Sequence, residues 1–384
     1  MYDFDEIIER RNTCSNKWDN APEGGRLPDD VLPMWVADMD FACPPQVVEA
    51  IHKVAGQRIF GYSHTPDEYY ETVCEFYRRR HGFRCSPEQI VFTAGVVSAL
   101  NFAVRALTVP GDHVIVQTPS YPPFFSSVEG NGRTVVDNPL IYDNGRYSID
   151  FEDLEKKAAN PAVKMMIICS PHNPTGRVWT EDELRRTEDI CLRNGLILVS
   201  DEIHNDLIRG GNHHISVMEL FPDKDNIVCC TAPSKTFNIA GLGASHCFCP
   251  NSELREKISK EVGRVRPTLF TAAAVMEAFT SCDGWIDEMN AYTDGNFECF
   301  YELMNRYFPK ATVTKAEGTY LAWLDVRAYT DDTEKLEKDL LEKCHVYIEC
   351  GDGFHGKGFL RINLGCPRAY ITEAFDRVSR VFKG

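Results

Sequence analysis

Short apolar runs alternate with longer stretches of mixed character through the middle of the chain. Residues 89–93, 113–117, 164–169, 196–200, 227–231 and 246–249 are nearly continuous in apolar and β-favouring side chains. That is the pattern of strands covered on both faces. Between many of them apolar positions recur at helical spacing, at 97–107, 181–194 and 253–262. Thr180, followed three residues on by Glu183, predicts a reciprocally capped helix start. Strand–helix alternation of this kind predicts an α/β fold with a mostly parallel, doubly wound sheet. After about residue 275 the texture changes to a long helical stretch (285–307), a strand (320–326), a charged helix (332–344), a strand (358–363) and a last helix. This predicts a smaller α+β domain. The first forty or so residues carry no strong periodic element. The expected division is an arm over 1–45 packing with the small domain, a large domain over 46–280 and a small domain over 281–384.

Composition narrows the function classes. The chain has 384 residues, 43% hydrophobic and 11% aromatic, which is enough to bury a core and excludes a mainly disordered chain. Its 41 basic and 57 acidic residues leave a formal charge of -16. Such a chain repels a phosphate backbone, so nucleic acid is not an expected partner. No apolar run is long enough for a transmembrane helix, so no membrane partner is expected either. The polar start MYDFDEIIERRNTCSNKWDN lacks the features of a signal peptide, which makes a cytoplasmic location the expectation. Fifteen cysteines, an odd number lying largely inside apolar runs, read as free thiols in a reducing compartment. His246, Cys247 and Cys249 alternate as in a strand, and zinc-ligand spacing is missing elsewhere, so no metal is expected.

In an open α/β sheet, ligands bind at the carboxyl ends of the strands. Residues 94–99 put a glycine turn before a helix, and such a helix start offers free N–H groups to an anion. After the next apolar runs come Ser170-Pro171-His172-Asn173-Pro174-Thr175-Gly176, then Asp201-Glu202-Ile203-His204, then Ala232-Pro233-Ser234-Lys235-Thr236-Phe237-Asn238. An anion-binding turn, an amide, a carboxylate and a lysine therefore converge on one edge. A Schiff-base cofactor with a pyridinium nitrogen needs that lysine, whereas hydride transfer does not.

Asn173-Pro174-x-Gly176, Asp201 and Ser234-Lys235, in this order and at these spacings, resemble the fold-type I pyridoxal-phosphate enzymes of the aspartate aminotransferase superfamily. The likeness runs over nearly the whole chain. Tyr2-Asp3-Phe4-Asp5, Arg10-Arg11, Lys17-Trp18-Asp19, residues 33–41, the Asp201 and Lys235 segments and residues 361–367 resemble more closely the MalY/PatB-type cystathionine β-lyases, the C–S lyase branch. The resemblance implies pyridoxal 5'-phosphate bound as a Schiff base on Lys235, which also moves the substrate's α-proton. It implies that Asp201 pairs with the pyridine nitrogen, Asn173 donates to the phenolic oxygen and Tyr121 stacks on the ring. Gly95, Val96, Val97 and Ser234 would hold the phosphate, joined by Tyr62 from the other subunit of a homodimer. Arg361 would bind the substrate α-carboxylate, with Trp35 and Val36 lining the substrate side.

Two positions depart from aminotransferases of this fold. His204 stands where they carry a tyrosine, which favours the lyase branch, and Gly243 stands where they carry a phosphate-binding arginine. The implied activity is β-elimination from a small sulfur amino acid, L-cystathionine or L-cysteine. An aminotransferase and a regulatory protein on the same fold are the alternatives. Gly351-x-Gly353-x-x-Gly356 spells a dinucleotide fingerprint but precedes a strand, so it reads as a flexible loop on the substrate side of the small domain. His213-His214 reads as a loop pair.

Overall fold

The computed structural model describes residues 2–21 and 24–382. A seven-stranded sheet is built from β1 (Ile90–Thr93), β2 (His113–Thr118), β3 (Thr134–Pro139), β4 (Val163–Cys169), β5 (Ile197–Asp201), β6 (Ile227–Thr231) and β7 (Ser245–Phe248). Their order is β1-β7-β6-β5-β4-β2-β3. Neighbours are parallel except at β7, which runs antiparallel to β1 and β6. The mostly parallel α/β expectation therefore holds. Alternate residues feed two apolar clusters: Ile115, Met166, Leu198 and Cys229 face one, and Val114, Ile167, Val199 and Val228 the other. Burial on both faces is why these strands read as continuous apolar runs.

The strand β3 escaped the pattern. It lies at the sheet edge, most of its residues are at least partly exposed, and it contains Asp137, Asn138 and Pro139. Edge strands tolerate such residues because one side of the ladder has no partner to lose. The predicted helix start is present. Thr180 Oγ1 accepts from the Glu183 amide at 3.2 Å, and Glu183 Oε2 accepts from the Thr180 amide at 2.8 Å. No helix among the described residues is long and apolar enough to cross a membrane.

A second, antiparallel sheet holds β8 (Thr312–Val313), β9 (Leu321–Asp325), β10 (Glu349–Cys350) and β11 (Phe359–Asn363), in the order β8-β9-β11-β10. Its own apolar cluster contains Phe300, Leu324, Leu360 and Phe375. The N-terminal region adds the short strand Leu32–Pro33, paired in parallel with Val346–Tyr347.

Residues 33–41 then run between the two sheets and are pinned from both sides. Asn363 Nδ2 donates to the carbonyls of Val36 and Asp38, both at 2.7 Å. Asp40 is buried and accepts from Lys17 Nζ at 2.6 Å, Trp18 Nε1 at 2.7 Å and Arg10 Nη1 at 2.8 Å. Three donors meet its two oxygens, as a buried carboxylate requires.

One smaller expectation is corrected. The glycine-rich segment at 351–356 is a packed turn rather than a flexible loop. A Cβ at Gly351 would collide with the Gly356 carbonyl oxygen, and one at Gly356 would collide with the Trp323 ring. Glycine is there for close approach. His213 and His214 lie in a loop, as expected, and His214 is buried there with Nε2 3.1 Å from Glu202 Oε2. Glu202 also accepts from Ser200 Oγ at 3.0 Å and the Val217 amide at 2.9 Å.

Candidate active site

The carboxyl ends of β1, β2, β4, β5 and β6 share one edge, and most of the candidate residues lie along it. Past β1 the chain turns at Gly95 into the helix Val96–Leu107, whose start has no side-chain cap. A Cβ at Gly95 would meet nothing within 4 Å, so the space beside these amides is open. Val97 is half-exposed there, whereas Val96 is buried. Gly243 packs against this turn, its would-be Cβ 3.4 Å from the Ala94 carbonyl oxygen. The departure noted in the sequence thus falls next to the helix start and removes a side chain from it.

Asp201 closes β5. Its carboxylate is buried, and Oδ1 accepts from the Ile203 amide at 3.0 Å. No cationic side chain hydrogen-bonds it among the described residues. Burial pushes its pKa up to about 7 against the Ile203 hydrogen bond, and the adjacent Glu202 pushes the same way. Three residues on, His204 is buried, and its Nδ1 has no partner in the protein. Burial, then the charges of Lys235 and Arg361, hold this imidazole down at about 3, so it is neutral at physiological pH.

Lys235 follows β6 within the short helix Pro233–Thr236, and Ser234 beside it is half-buried. Its Nζ donates to the Ala37 carbonyl. Burial is the largest influence on its amine and lowers the pKa to about 8; Arg361 acts in the same direction, while Asp38 and Asp201 oppose it. A lysine in this state is a usable nucleophile and base near neutral pH. Thr236 Oγ1 donates to Asp206 at 3.1 Å, and Asp206 is itself held by Arg80 at 2.8 Å and lies 3.1 Å from His81. The lysine therefore stands on an anchored turn.

Arg361, on β11, is buried and reaches across to the large sheet. Its Nη1 donates to Asn173 Oδ1 at 3.2 Å, and its Nη2 donates to the Trp35 carbonyl at 3.2 Å and to Glu349. The Trp35 ring stacks on Tyr347 with centroids 5.1 Å apart. Tyr121, preceding the helix Pro122–Glu129, lies in the field of both Arg361 and Asp201, and burial raises its pKa.

The structure thus brings together Lys235, Asp201, His204, Asn173, Tyr121, Arg361 and the main chain of Trp35 and Val36. Tyr62 stands apart, fully exposed near the exposed Ile59 and Phe60. Among the described residues no group of three or more His, Cys, Asp or Glu side chains is placed to hold a metal ion. Sequence reasoning missed Glu349 and the role of the Ala37 carbonyl. Alternation in the small sheet could have flagged Glu349, since it faces Arg361 across the β10–β11 pair. No side-chain pattern could reveal a carbonyl.

Known proteins share this arrangement of elements. The family profile for aminotransferase class I and II matches residues 29–378. The chain is 42% identical over 382 residues to cystathionine beta-lyase PatB of Bacillus subtilis, covering 98% of each chain. It is 32% identical over 380 residues to protein MalY of Escherichia coli, covering 97% of each. Among solved structures, cystalysin from Treponema denticola, which contains a pyridoxal 5'-phosphate cofactor, superposes with a TM-score of 0.94 at 37% identity, over 99% of this chain and 98% of that one. The pyridoxal-phosphate-bound C–S lyase from Staphylococcus hominis in complex with L-cycloserine gives 0.93 at 35% identity, over the same shares.

Proposed function

This chain belongs to the class I and II aminotransferase family, and from that premise we propose that it is a C–S β-lyase. It cleaves L-cystathionine and/or L-cysteine, and related S-conjugates, to a thiol, pyruvate and ammonia. It is a pyridoxal-phosphate-dependent enzyme. The observation that carries the reading is Lys235, a buried amine brought to about 8 beside a carboxylate that lacks a cationic contact and an arginine suited to a carboxylate.

The residues present fit the cofactor. A protonated ring nitrogen would supply the cation that buried Asp201 lacks. His204 Nδ1, buried and unpartnered, needs a polar neighbour of the kind the cofactor brings. The uncapped amides of Val96 and Val97, beside the open space at Gly95, suit a phosphate, with the Ser234 hydroxyl adding to them. Asn173 already accepts from Arg361 through Oδ1, so its amide nitrogen is the end that would donate to the phenolic oxygen. Tyr121 would cover the ring.

Bound there, pyridoxal phosphate supplies an electron sink for the pair left on the substrate when its α-proton is removed. Lys235, whose amine burial brings down to about 8, would take that proton. Arg361 orients the α-carboxylate, while Trp35 and Val36 wall the substrate side. His204 stays neutral and adds no positive charge next to the amine. The β-thiolate then leaves, and one water per thioether completes the balance to thiol, pyruvate and ammonia.

The test is incubation with L-cystathionine in the absence of any 2-oxo acid. Pyruvate and free thiol should appear in equal amounts. A strict requirement for an added 2-oxo acid would move the function to an aminotransferase. The same proposal includes a homodimer in which Tyr62 reaches the partner's phosphate. Its support is a fully exposed tyrosine amid exposed Ile59 and Phe60, and a fully active monomer by light scattering would exclude it. It also includes the division into an arm, a large domain and a small domain, and a cytoplasmic location, which the fifteen free cysteines favour.

A further inference from the structure

Both forks of a guanidinium pass through Nη2: one is Nε with Nη2, the other Nη1 with Nη2. On Arg361 the two Nη2 hydrogens are already committed, to the Trp35 carbonyl at 3.2 Å and to a Glu349 carboxylate oxygen. Nη1 donates to Asn173, and Nε is buried with no partner. A carboxylate that binds bidentately must take one hydrogen from Nη2, so one of these two acceptors has to leave. The Trp35 carbonyl is main chain, flanked by carbonyls fixed to Asn363: Met34 accepts from its amide at 2.9 Å and Val36 from its Nδ2 at 2.7 Å. Glu349 is a side chain on the short outer strand β10. It is the partner that can move.

Release leaves Glu349 in difficulty. Burial raises its pKa, and Arg361 is the cation that offsets this. Glu337 stands close enough to be raised by Glu349 in turn, so the surroundings are acidic. The side chain is about three-quarters covered, 26% exposed, so a carboxylate here that loses its cation gains by finding another. The substrates of the lyase reading can supply that cation. A thioether with an amino acid at each end carries a second ammonium on a carbon five bonds from the first α-carbon, roughly 6 Å when extended.

We propose that Glu349 is a specificity-determining residue that yields Arg361 to the substrate α-carboxylate and then accepts the distal ammonium of a diamino-dicarboxylic thioether. This rests on the lyase reading. A substrate without the distal ammonium displaces Glu349 and offers nothing in return, so it binds more weakly.

The test uses an inert matched pair on the cofactor-loaded enzyme. L,L-2,7-diaminosuberate has the length of cystathionine with a methylene for the sulfur, and L-2-aminosuberate lacks only its distal ammonium. Neither has a β-leaving group. Calorimetric dissociation constants should favour the diamino compound by about tenfold in the wild type. In Glu349→Gln the preference should fall to within about twofold, and 2-aminosuberate should bind more tightly than it does to the wild type. Glu349→Asp keeps the charge and should keep a preference, which guards against a glutamine variant that folds poorly. Equal affinities in the wild type, or a preference unchanged in Glu349→Gln, would overturn the proposal. Pyruvate release from L-cystathionine is measured separately: its absence would sink the lyase reading, whereas the binding preference judges Glu349.

Discussion

The two sides of the site differ in how their polar groups are partnered. On the large-sheet side, Asp201 is buried with one backbone donor to its carboxylate, His204 Nδ1 has none, and the helix at Val96 begins without a cap. On the small-sheet side, Arg361 is equally buried but has three acceptors in contact: Asn173, the Trp35 carbonyl and Glu349. Buried polar groups without partners are costly in a finished structure, and they are tolerable where a resident molecule completes them. A cation with most of its donors already on protein acceptors suits an occupant that comes and goes, because only Nε goes without a partner between visits. The contrast separates a side shaped for a cofactor from a side shaped for substrate.

The harshest break of that separation is Lys235→Ala. Turnover should fall on the order of 10⁴-fold. The near-visible band of lysine-bound cofactor should vanish, measured by absorbance alongside pyruvate release. The Arg361 side should be intact, so L-2-aminosuberate should still bind. A retained band would mean that another lysine holds the cofactor.

Arg361→Lys should act on the other side alone. Lysine keeps the charge but loses the fork, and half-buried Glu349 and buried Asn173 lose a planar partner. We expect kcat/KM to fall about 100-fold, mainly through KM. The cofactor band should be unchanged. If cofactor affinity fell together with KM, the two sides would be one coupled unit and the comparison would fail.

The large-sheet side was the more legible of the two from sequence. Its residues follow apolar strands at fixed offsets, so Asn173, Asp201, Ser234 and Lys235 could be placed on one edge before any coordinates. The long buried strands were legible for the same reason, since burial on both faces leaves an apolar run. The edge strand Thr134–Pro139 was not, because half-exposed positions carry no such constraint. Glu349 was missed because its meaning depends on a cross-strand partner twelve residues away, and the glycines around it drew attention to themselves. That His214 lies in a loop was legible, but its pairing with Glu202 twelve residues earlier was not, because side-chain order along the chain does not reveal such a contact. The acceptor for Lys235 is the main-chain oxygen of Ala37, a group that every residue possesses.

The gentlest test concerns Asp201 and the cost of leaving a site unfilled. Burial raises its pKa to about 7, above the value near 3.9 of an unfolded chain. Between those values the folded state binds more protons than the unfolded state, so stability falls as pH rises. The contribution is fully present below about 4 and is lost as pH climbs through about 7. His204, held down at about 3, works in the opposite sense, adding stability as pH rises through the acid range to about 6.5. Lys235 does the same above about 8. The informative quantity is therefore the difference between the wild type and Asp201→Asn, both freed of cofactor and melted at pH 5 and at pH 7.5. The variant should gain about 2 kcal/mol over the wild type on passing from the lower to the higher pH, because an amide has no charge to bury. Adding pyridoxal phosphate should reverse the ranking, since the wild-type carboxylate then faces a cation and the amide does not. Parallel melting at both pH values would mean that Asp201 is already satisfied by the protein, and the distinction between an unfinished side and a finished one would lose its main support.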